Sequence, residues 1–389
     1  MDNIKKLIYT ILIISVITLI AMIFINGTFL TKTYLEPWNK NYHTQFEDKR
    51  IQVVSHGLLA PNAHNKQSWK IVLDKNNPNK FDLFLDETRL LPETDPNHRQ
   101  TIMSHGTFLE LIDISAKKLG LKADIEIFPH GEINIAGTLV SIREKPVATI
   151  TLNKSETKNS NLYDAIYDRV TTRTPYLDKP LTEEQINQIK ILNNYEGIDV
   201  VIFQNSADLE LIKEIALKGI EIESTNIATL NETHEVFRVN EYKKNKYRDG
   251  VTFSALGFSP IKKYLMEGVS TLFPVSLEVE GKIWLDGAKE RIPKTPAYIM
   301  ILSQKDDRTT HIKIGMLYAR IQLAGTAFGL SMQPTMQVTQ EYPKMAELYN
   351  QINDEFTEIG QKVQMLFRVG EAEKKVEHAP RRDVMDLIQ

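Results

Sequence analysis

Residues 7–25 read LIYTILIISVITLIAMIFI, a run of 19 positions without a charge. About 20 apolar residues in a helix cross the hydrocarbon core of a bilayer. Such a run can tether a chain to a membrane, lead it across one, or form a buried helix. A cleaved leader usually has a shorter apolar region followed by small residues at the cut site. Here the run ends Ile25-Asn26-Gly27-Thr28-Phe29, with no Ala-x-Ala-like site, so it reads as an uncleaved anchor, with a cleaved leader and then a buried helix as the alternatives. Lys5 and Lys6 precede the run. The positive-inside rule then keeps the amino terminus in the cytoplasm and sends the bulk of the chain outside, as a single-pass protein of the cell membrane.

The 389 residues suffice for two or three domain-sized units, and the apolar (42%) and charged (25%) fractions are those of a folded chain. A net charge of −3 supplies no basic face for nucleic acid. With no cysteine there are no disulfides, thiolate metal sites or cysteine nucleophiles. His56, His98, His105 and His130 lack metal-ligand spacing such as H-E-x-x-H, so no metal is assigned. No Gly-x-Gly-x-x-Gly follows a strand, which leaves a Rossmann nucleotide site unsupported.

Residues 1–27 are expected to form the anchor and 28–47 a polar linker, with folded structure from about Asp48. A first half covers 48–152 and a second 161–389, divided by the polar stretch 153–161. In the first half, helices are expected at 51–59 and 101–121, and strands at 69–73, 80–84, 125–128, 139–142 and 147–152. In the second, helices are expected at 162–170, 182–192, 207–225, 315–329 and 342–363, and strands at 200–203 and 297–302. Without strict βαβ alternation the class is α+β. Gly106 leads to Gly120-Leu121 at the spacing with which Gly315 leads to Gly329-Leu330, an echo that suggests an ancient duplication.

Four segments carry chemistry. The loop Ala60-Pro61-Asn62-Ala63-His64-Asn65-Lys66-Gln67-Ser68-Trp69 offers neutral amide and imidazole groups. Asp168-Arg169-Val170-Thr171-Thr172-Arg173-Thr174-Pro175-Tyr176 sets two arginines four apart around a hydroxyl, a good phosphate clamp because a guanidinium is a forked, permanent cation. Near the end, Met365-Leu366-Phe367-Arg368-Val369-Gly370 precedes the basic Arg381-Arg382. Finally, Thr94-Asp95-Pro96-Asn97-His98-Arg99 leads to Ser104-His105-Gly106, and Glu235 with Arg238 precedes Arg248-Asp249-Gly250.

In this order, over about residues 48–388, these segments resemble the nitroreductase family, and within it the Acg-like branch. The loop departs from the family pattern at Asn62, where serine is usual, and at Ser68, where proline is usual. The resemblance implies an α+β nitroreductase-like fold of two diverged halves forming an intramolecular pseudo-dimer, preceded by one transmembrane helix. It implies one composite FMN site, because each part occurs once. Asn62, Ala63, His64, Asn65 and Gln67 would meet the isoalloxazine ring. Arg169, Thr171, Arg173 and Arg381 or Arg382 would meet the phosphate. A backbone N–H near Pro334, Thr335 and Met336 would face flavin N5. The expected activity is alternating reduction by NAD(P)H and oxidation by nitro- or quinone-like acceptors, with the redox chemistry in the cofactor and no catalytic side chain assigned. Two alternatives stand beside it: a catalytically silent FMN-sequestering protein lidded by residues 235–258, and a cofactor-free membrane-anchored interaction module.

Overall fold

The structure is a computed structural model that describes residues 2–133 and 140–389. The chain is α+β, with two four-stranded antiparallel sheets. The first contains β1 (Trp69–Leu73), β2 (Lys80–Leu85), β3 (Leu121–Ile127) and β4 (Ala148–Lys154) in the order β1-β2-β4-β3. The second contains β5 (Ile198–Gln204), β6 (Ala297–Ser303), β7 (Ser331–Pro334) and β8 (Lys362–Gly370) in the order β5-β6-β8-β7. Strand for strand, the two sheets have the same topology.

Period-two patterning builds both sheets. In β2, Phe81, Leu83 and Leu85 turn into the first core and the residues between them are less buried. Every residue of β6 is buried. Its Ala297, Ile299 and Ile301 pack in one apolar cluster, and Tyr298, Met300 and Leu302 in another on the opposite face. A strand between two cores is therefore continuously apolar instead of alternating.

Thirteen helices complete the described chain. The apolar α1 (Asp2–Asn26) is followed by α2 (Lys49–Gly57), the long α3 (Arg99–Lys118), α4 (Val140–Glu144), α5 (Asn161–Ala165) and α6 (Glu183–Lys190). Next come α7 (Ala207–Ser224), α8 (Ile227–Glu235), α9 (Glu241–Tyr247), α10 (Pro260–Leu272) and α11 (Leu277–Arg291). The second long helix, α12 (Arg308–Ala327), and α13 (Ala346–Phe356) end the series. α3 and α12 have 20 residues each, Gly106 and Gly315 are each the eighth, and Gly120 and Gly329 follow in the left-handed conformation at φ +71° and +76°. The two helices cross between the sheets. Each glycine there touches the other helix's backbone, Gly106 at Ile312 and Gly315 at Met103.

Several elements differ from the sequence expectation. The helix expected over 162–170 stops at Ala165, because Thr171 bridges Met332 at the β7 edge and Thr172 donates its N–H to Met332 O. The helix expected over 342–363 ends at Phe356: Gly360 is left-handed, and pairing with β6 captures 362–370 as a strand. Part of the strand expected at 139–142 falls outside the described residues, and Val140–Glu144 is helical. α12 starts well before the expected 315, because Asp307 caps it by accepting from the Thr310 N–H. The helices α8–α11 were not expected, although α10 carries apolar residues at helical spacing.

The stretch read as a polar spacer is packed against the body. Tyr34, Trp38 and Tyr42 are buried. Tyr34 donates to Glu241 at 2.8 Å, Trp38 Nε1 to Ala379 O at 2.8 Å, and Arg381 N–H to Tyr34 O at 2.9 Å. The aromatic spacing of this segment is irregular because it forms short 3-10 turns (Thr33–Trp38 and Tyr42–Gln45) and not a helix or strand. Among the described residues one helix, α1, is long and apolar enough to cross a membrane, and none of its apolar window is buried in the protein.

Candidate functional site

A cavity of about 990 Å³ opens where the two long helices meet the α8–α11 region. Its floor takes residues 61–64 from the first sheet's side, the start of α3, and Thr171 and Arg173 beside β7. Gln333, Pro334 and Met336 at the end of β7 form one wall, and α8, α10 and α11 form the cover.

The 62–67 loop is built under backbone strain. His64, Asn65 and Gln67 all have positive φ (47°, 53° and 51°), a conformation costly for residues with a Cβ and concentrated at functional sites. Asn62 Oδ1 holds the turn by accepting from Gln67 N–H at 2.8 Å, and Ala63 N–H donates to Ser104 Oγ at 3.1 Å. The result turns Asn62, Ala63 and His64 toward the cavity. His64 Nδ1 is buried without a partner. Burial, then the nearby Arg173 and Lys66 cations, push the imidazole down to about 4, so it is neutral at physiological pH.

Asn65 and Gln67 point the other way. Asn65 Nδ2 donates to Gly250 O (3.0 Å) and Pro380 O (2.9 Å), and Gly250 N–H donates back to Asn65 O (3.0 Å). Gln67 Nε2 donates to Arg248 O at 3.0 Å, and its Oε1 accepts from Arg382 N–H at 2.9 Å. These amides tie the 248–250 turn and the carboxy-terminal tail to the loop.

The arginines separate in the same manner. Arg381 is buried behind the loop, donating to Asn65 Oδ1 (2.5 Å) and to the carbonyls of Leu59 and Ala60 (both 3.2 Å). Arg169 reaches the same Leu59 carbonyl at 3.0 Å, and both guanidinium groups lie over the Trp38 ring. Arg382 donates to Gln67 O and Asp386 O. Thr335 is buried, and its N–H donates to Leu366 O at 2.8 Å. Of the thirteen positions read from the sequence, Asn62, Ala63, His64, Thr171, Arg173, Pro334 and Met336 line the cavity.

Arg173 differs from the other arginines. Among the described residues no hydrogen bond or ion pair reaches its guanidinium, and removal from water lowers its pKa, with Tyr176 and Tyr318 opposing the shift. Arg291, at the end of α11, lines the cavity beside it. Burial, then the Arg368 and Arg173 charges, push Arg291 down to about 9, and its Nε has no partner. Cations withdrawn from water are normally paired, so the half-buried Arg173 and the buried Arg291, facing one cavity without an acceptor, favour an anionic ligand there. Nothing in the sequence marked Arg291. It sits in a helix without a legible motif, four residues after Gly287.

On the opposite side of the cavity, Gln337 and Gln340 lean toward Glu223, the fully buried penultimate residue of α7. Neither carboxylate oxygen has a partner in hydrogen-bond geometry, and burial pushes the group up to about 7. Tyr342 Oη, also buried and unpartnered, feels the Glu223 charge.

No family model matches the chain. It is 30% identical over 123 residues to an uncharacterized protein of Mycobacterium tuberculosis, covering 31% of this chain and 33% of that protein. It is 30% identical over 130 residues to the "Putative NAD(P)H nitroreductase acg" of the same organism, covering 33% and 36%. The "Probable NAD(P)H nitroreductase PigM" of a Serratia species is 21% identical over 313 residues, covering 76% of this chain and 82% of that one. The chain thus spans about a third of the length of the first curated relatives it matches. Among solved structures, the FMN-dependent nitroreductase NfnB of Mycobacterium smegmatis aligns at 16% identity over 58% of this chain and 96% of that chain, with a TM-score of 0.35. A nitroreductase with bound FMN from Desulfitobacterium hafniense aligns at 13% identity over 59% and 97%, with a TM-score of 0.34.

Proposed function

We propose that the chain is a membrane-anchored FMN-dependent oxidoreductase of the nitroreductase type. The observation that carries this reading is the unpaired Arg173 guanidinium in the floor of a cavity of about 990 Å³, beside a neutral His64 and a second unpaired cation, Arg291. A cavity this size is at the upper end of the range for small-molecule and cofactor sites. The chemistry of the lining suits the parts of FMN. Arg173 and Arg291 would take the phosphate, with Thr171 nearby. Asn62, His64 and Gln333 offer neutral donors and acceptors to a ring with carbonyl and N–H edges. The names of the relatives, two of them NAD(P)H nitroreductases, support the same class.

Bound FMN would supply hydride and electron transfer between NAD(P)H and a small nitro- or quinone-like acceptor. The chain's own groups bind and orient. Pro334 has no N–H and that of Thr335 is taken by Leu366 O, so among the three expected positions the free N–H belongs to Met336. His64, held neutral, can present its Nδ1 to a ligand without adding a charge. The α8–α11 cover limits water over the site. Residues 1–27 are read as a single-pass anchor, with the folded body, in two halves from 48–152 and 161–389, outside the membrane.

The test is the absorption spectrum of the full-length protein purified in detergent, before and after NADPH. A flavin spectrum that bleaches with NADPH is expected. A colourless protein that takes up no added FMN would remove the cofactor reading, and bound FMN that NADPH cannot bleach would remove the turnover reading.

A further inference from the structure

The carboxy-terminal turns of α1 do not hang free of the body; they pack along α10, the helix that covers the cavity. Asn26 Nδ2 donates to Tyr264 O at 2.9 Å, Tyr264 Oη donates to Leu19 O at 3.1 Å, and Met22 rests on Gly268. Tyr242 Oη from α9 also donates to Phe24 O at 3.0 Å. α10 is in turn fixed to the body, because Lys244 of α9 bonds Glu267 at 2.5 Å and Glu241 at 2.9 Å in a buried cluster with Tyr34. The end of the anchor is therefore packed onto the body.

Helix length then sets the depth of α10. The 19 uncharged residues 7–25 rise about 28 Å, roughly the whole hydrocarbon thickness. A span with no slack keeps Leu19, Met22 and Phe24 at the level of the acyl chains, and whatever packs on those turns lies at the membrane boundary. The face that α10 leaves open suits that position. Ile261, Leu265, Val269 and Leu272, at spacings of four, four and three, are 74%, 47%, 42% and 47% exposed, and Phe273 just beyond is 67% exposed. At about 100° per residue this stripe lies between the face that meets α1 (Tyr264 and Gly268) and the face on the cavity (Met266 and Ser270). Val269 belongs to both stripe and cavity rim, and Pro274 and Ile283 continue the apolar rim. Lys262, in the first turn, is exposed on the cavity rim with its Nζ 4.3 Å from the centre of the Phe258 ring.

We propose that α10 is an interfacial helix, its stripe dipped into the bilayer surface beside α1, so that the cavity opens toward lipid and admits bilayer-soluble apolar ligands past Val269. The occupant of the stripe is the bilayer because the stripe is continuous with the membrane helix itself. The inference rests on the reading of α1 as an anchor and is independent of the flavin.

The absence of native cysteine makes the test direct. Ile14→Cys, Leu265→Cys, Leu272→Cys, Ile191→Cys and Ile359→Cys, each in the full-length protein, are labelled with an environment-sensitive fluorophore. The proteins are reconstituted into phosphatidylcholine–phosphatidylglycerol vesicles with acyl-chain spin-labelled lipid as quencher. All five positions are exposed, so labelling leaves the fold intact. Quenching at 265 and 272 is expected to exceed that at 191 and 359 at least three-fold. Strong quenching at 14 with 265 and 272 no different from 191 and 359 would overturn the proposal while leaving the anchor standing. No quenching at 14 would overturn both. Flavin absorbance of the same samples reports the cofactor reading separately.

Discussion

Gly106 and Gly315 face each other backbone to backbone at the crossing of α3 and α12. A Cβ on Gly106 would overlap Ile312 O, and one on Gly315 would overlap Met103 O. The obstructing atoms belong to the main chain of the opposite helix, so no side-chain rotation relieves the clash. Gly106→Ala and Gly315→Ala should each cost about 2–3 kcal/mol, near the upper range for overpacking. Once the helices have moved apart for one alanine, the second meets less resistance, so the double variant should lose less than the sum. Thermal denaturation of the two single variants and the double variant measures this; full additivity would mean that the two glycines do not share one contact.

Arg173 and Arg169 are separated by one helical turn in sequence and by role in the structure. Arg173→Met removes a half-buried cation that has no partner among the described residues, so the apoprotein should be as stable as the parent or slightly more so. FMN affinity should fall about 10- to 100-fold, the worth of a charge-assisted hydrogen bond. Arg169→Met removes one of the two guanidinium donors to the Leu59 carbonyl and one of the two guanidinium groups over Trp38, Arg381 supplying the other of each, so it should lower stability by about 1 kcal/mol with a smaller effect on FMN. Fluorescence titration with FMN, paired with thermal melts, separates the two. Loss of apoprotein stability in Arg173→Met with FMN affinity unchanged would contradict the assignment.

Asn65 joins three segments distant in sequence: its own loop, the turn at Gly250 and the tail at Pro380–Arg381. Asn65→Ala leaves the buried Arg381 without its side-chain acceptor and should cost about 2–4 kcal/mol. The tail and the 248–258 stretch should become the first sites of limited proteolysis, and bound FMN should leave several-fold faster because the cover is no longer pinned. A digestion pattern identical to that of the parent would show that the cover is held elsewhere.

These cases show what is legible in a single sequence. The paired spacing of Gly106–Gly120 and Gly315–Gly329 was visible because a backbone contact and a left-handed helix stop each demand glycine at a fixed position. The strand around Phe81 was visible because burial follows a period of two, and the one around Ile299 because a strand buried on both faces is a continuous apolar run. The roles of Asn65, Gln67, Arg169 and Arg381 were not, since residue type tells that a group needs partners but not where they are. For these four the partners are main-chain carbonyls, a tail more than 300 residues away, and Trp38, which lay in a stretch without periodicity. Arg291 was hidden for the converse reason: its significance is the lack of a partner, which no local pattern records.

Glu223 gives the chain a pH dependence with a definite sign. Burial raises its folded-state pKa from 4.5 to about 7, so the folded state favours the neutral acid. Its contribution to stability is then fully present below about pH 4.5, declines as pH rises through about 7, and stays lost above it. The loss amounts to about 3 kcal/mol at one pKa unit per 1.36 kcal/mol. Glu223→Gln keeps a neutral group of the same shape beside Gln337 and Gln340, and should equal the parent near pH 4.5 and exceed it by roughly that amount at pH 8. Thermal melts of both proteins at half-unit pH steps measure the difference. If the parent is instead the more stable protein at pH 8, the carboxylate is ionised and paired in the fold, and burial does not govern it.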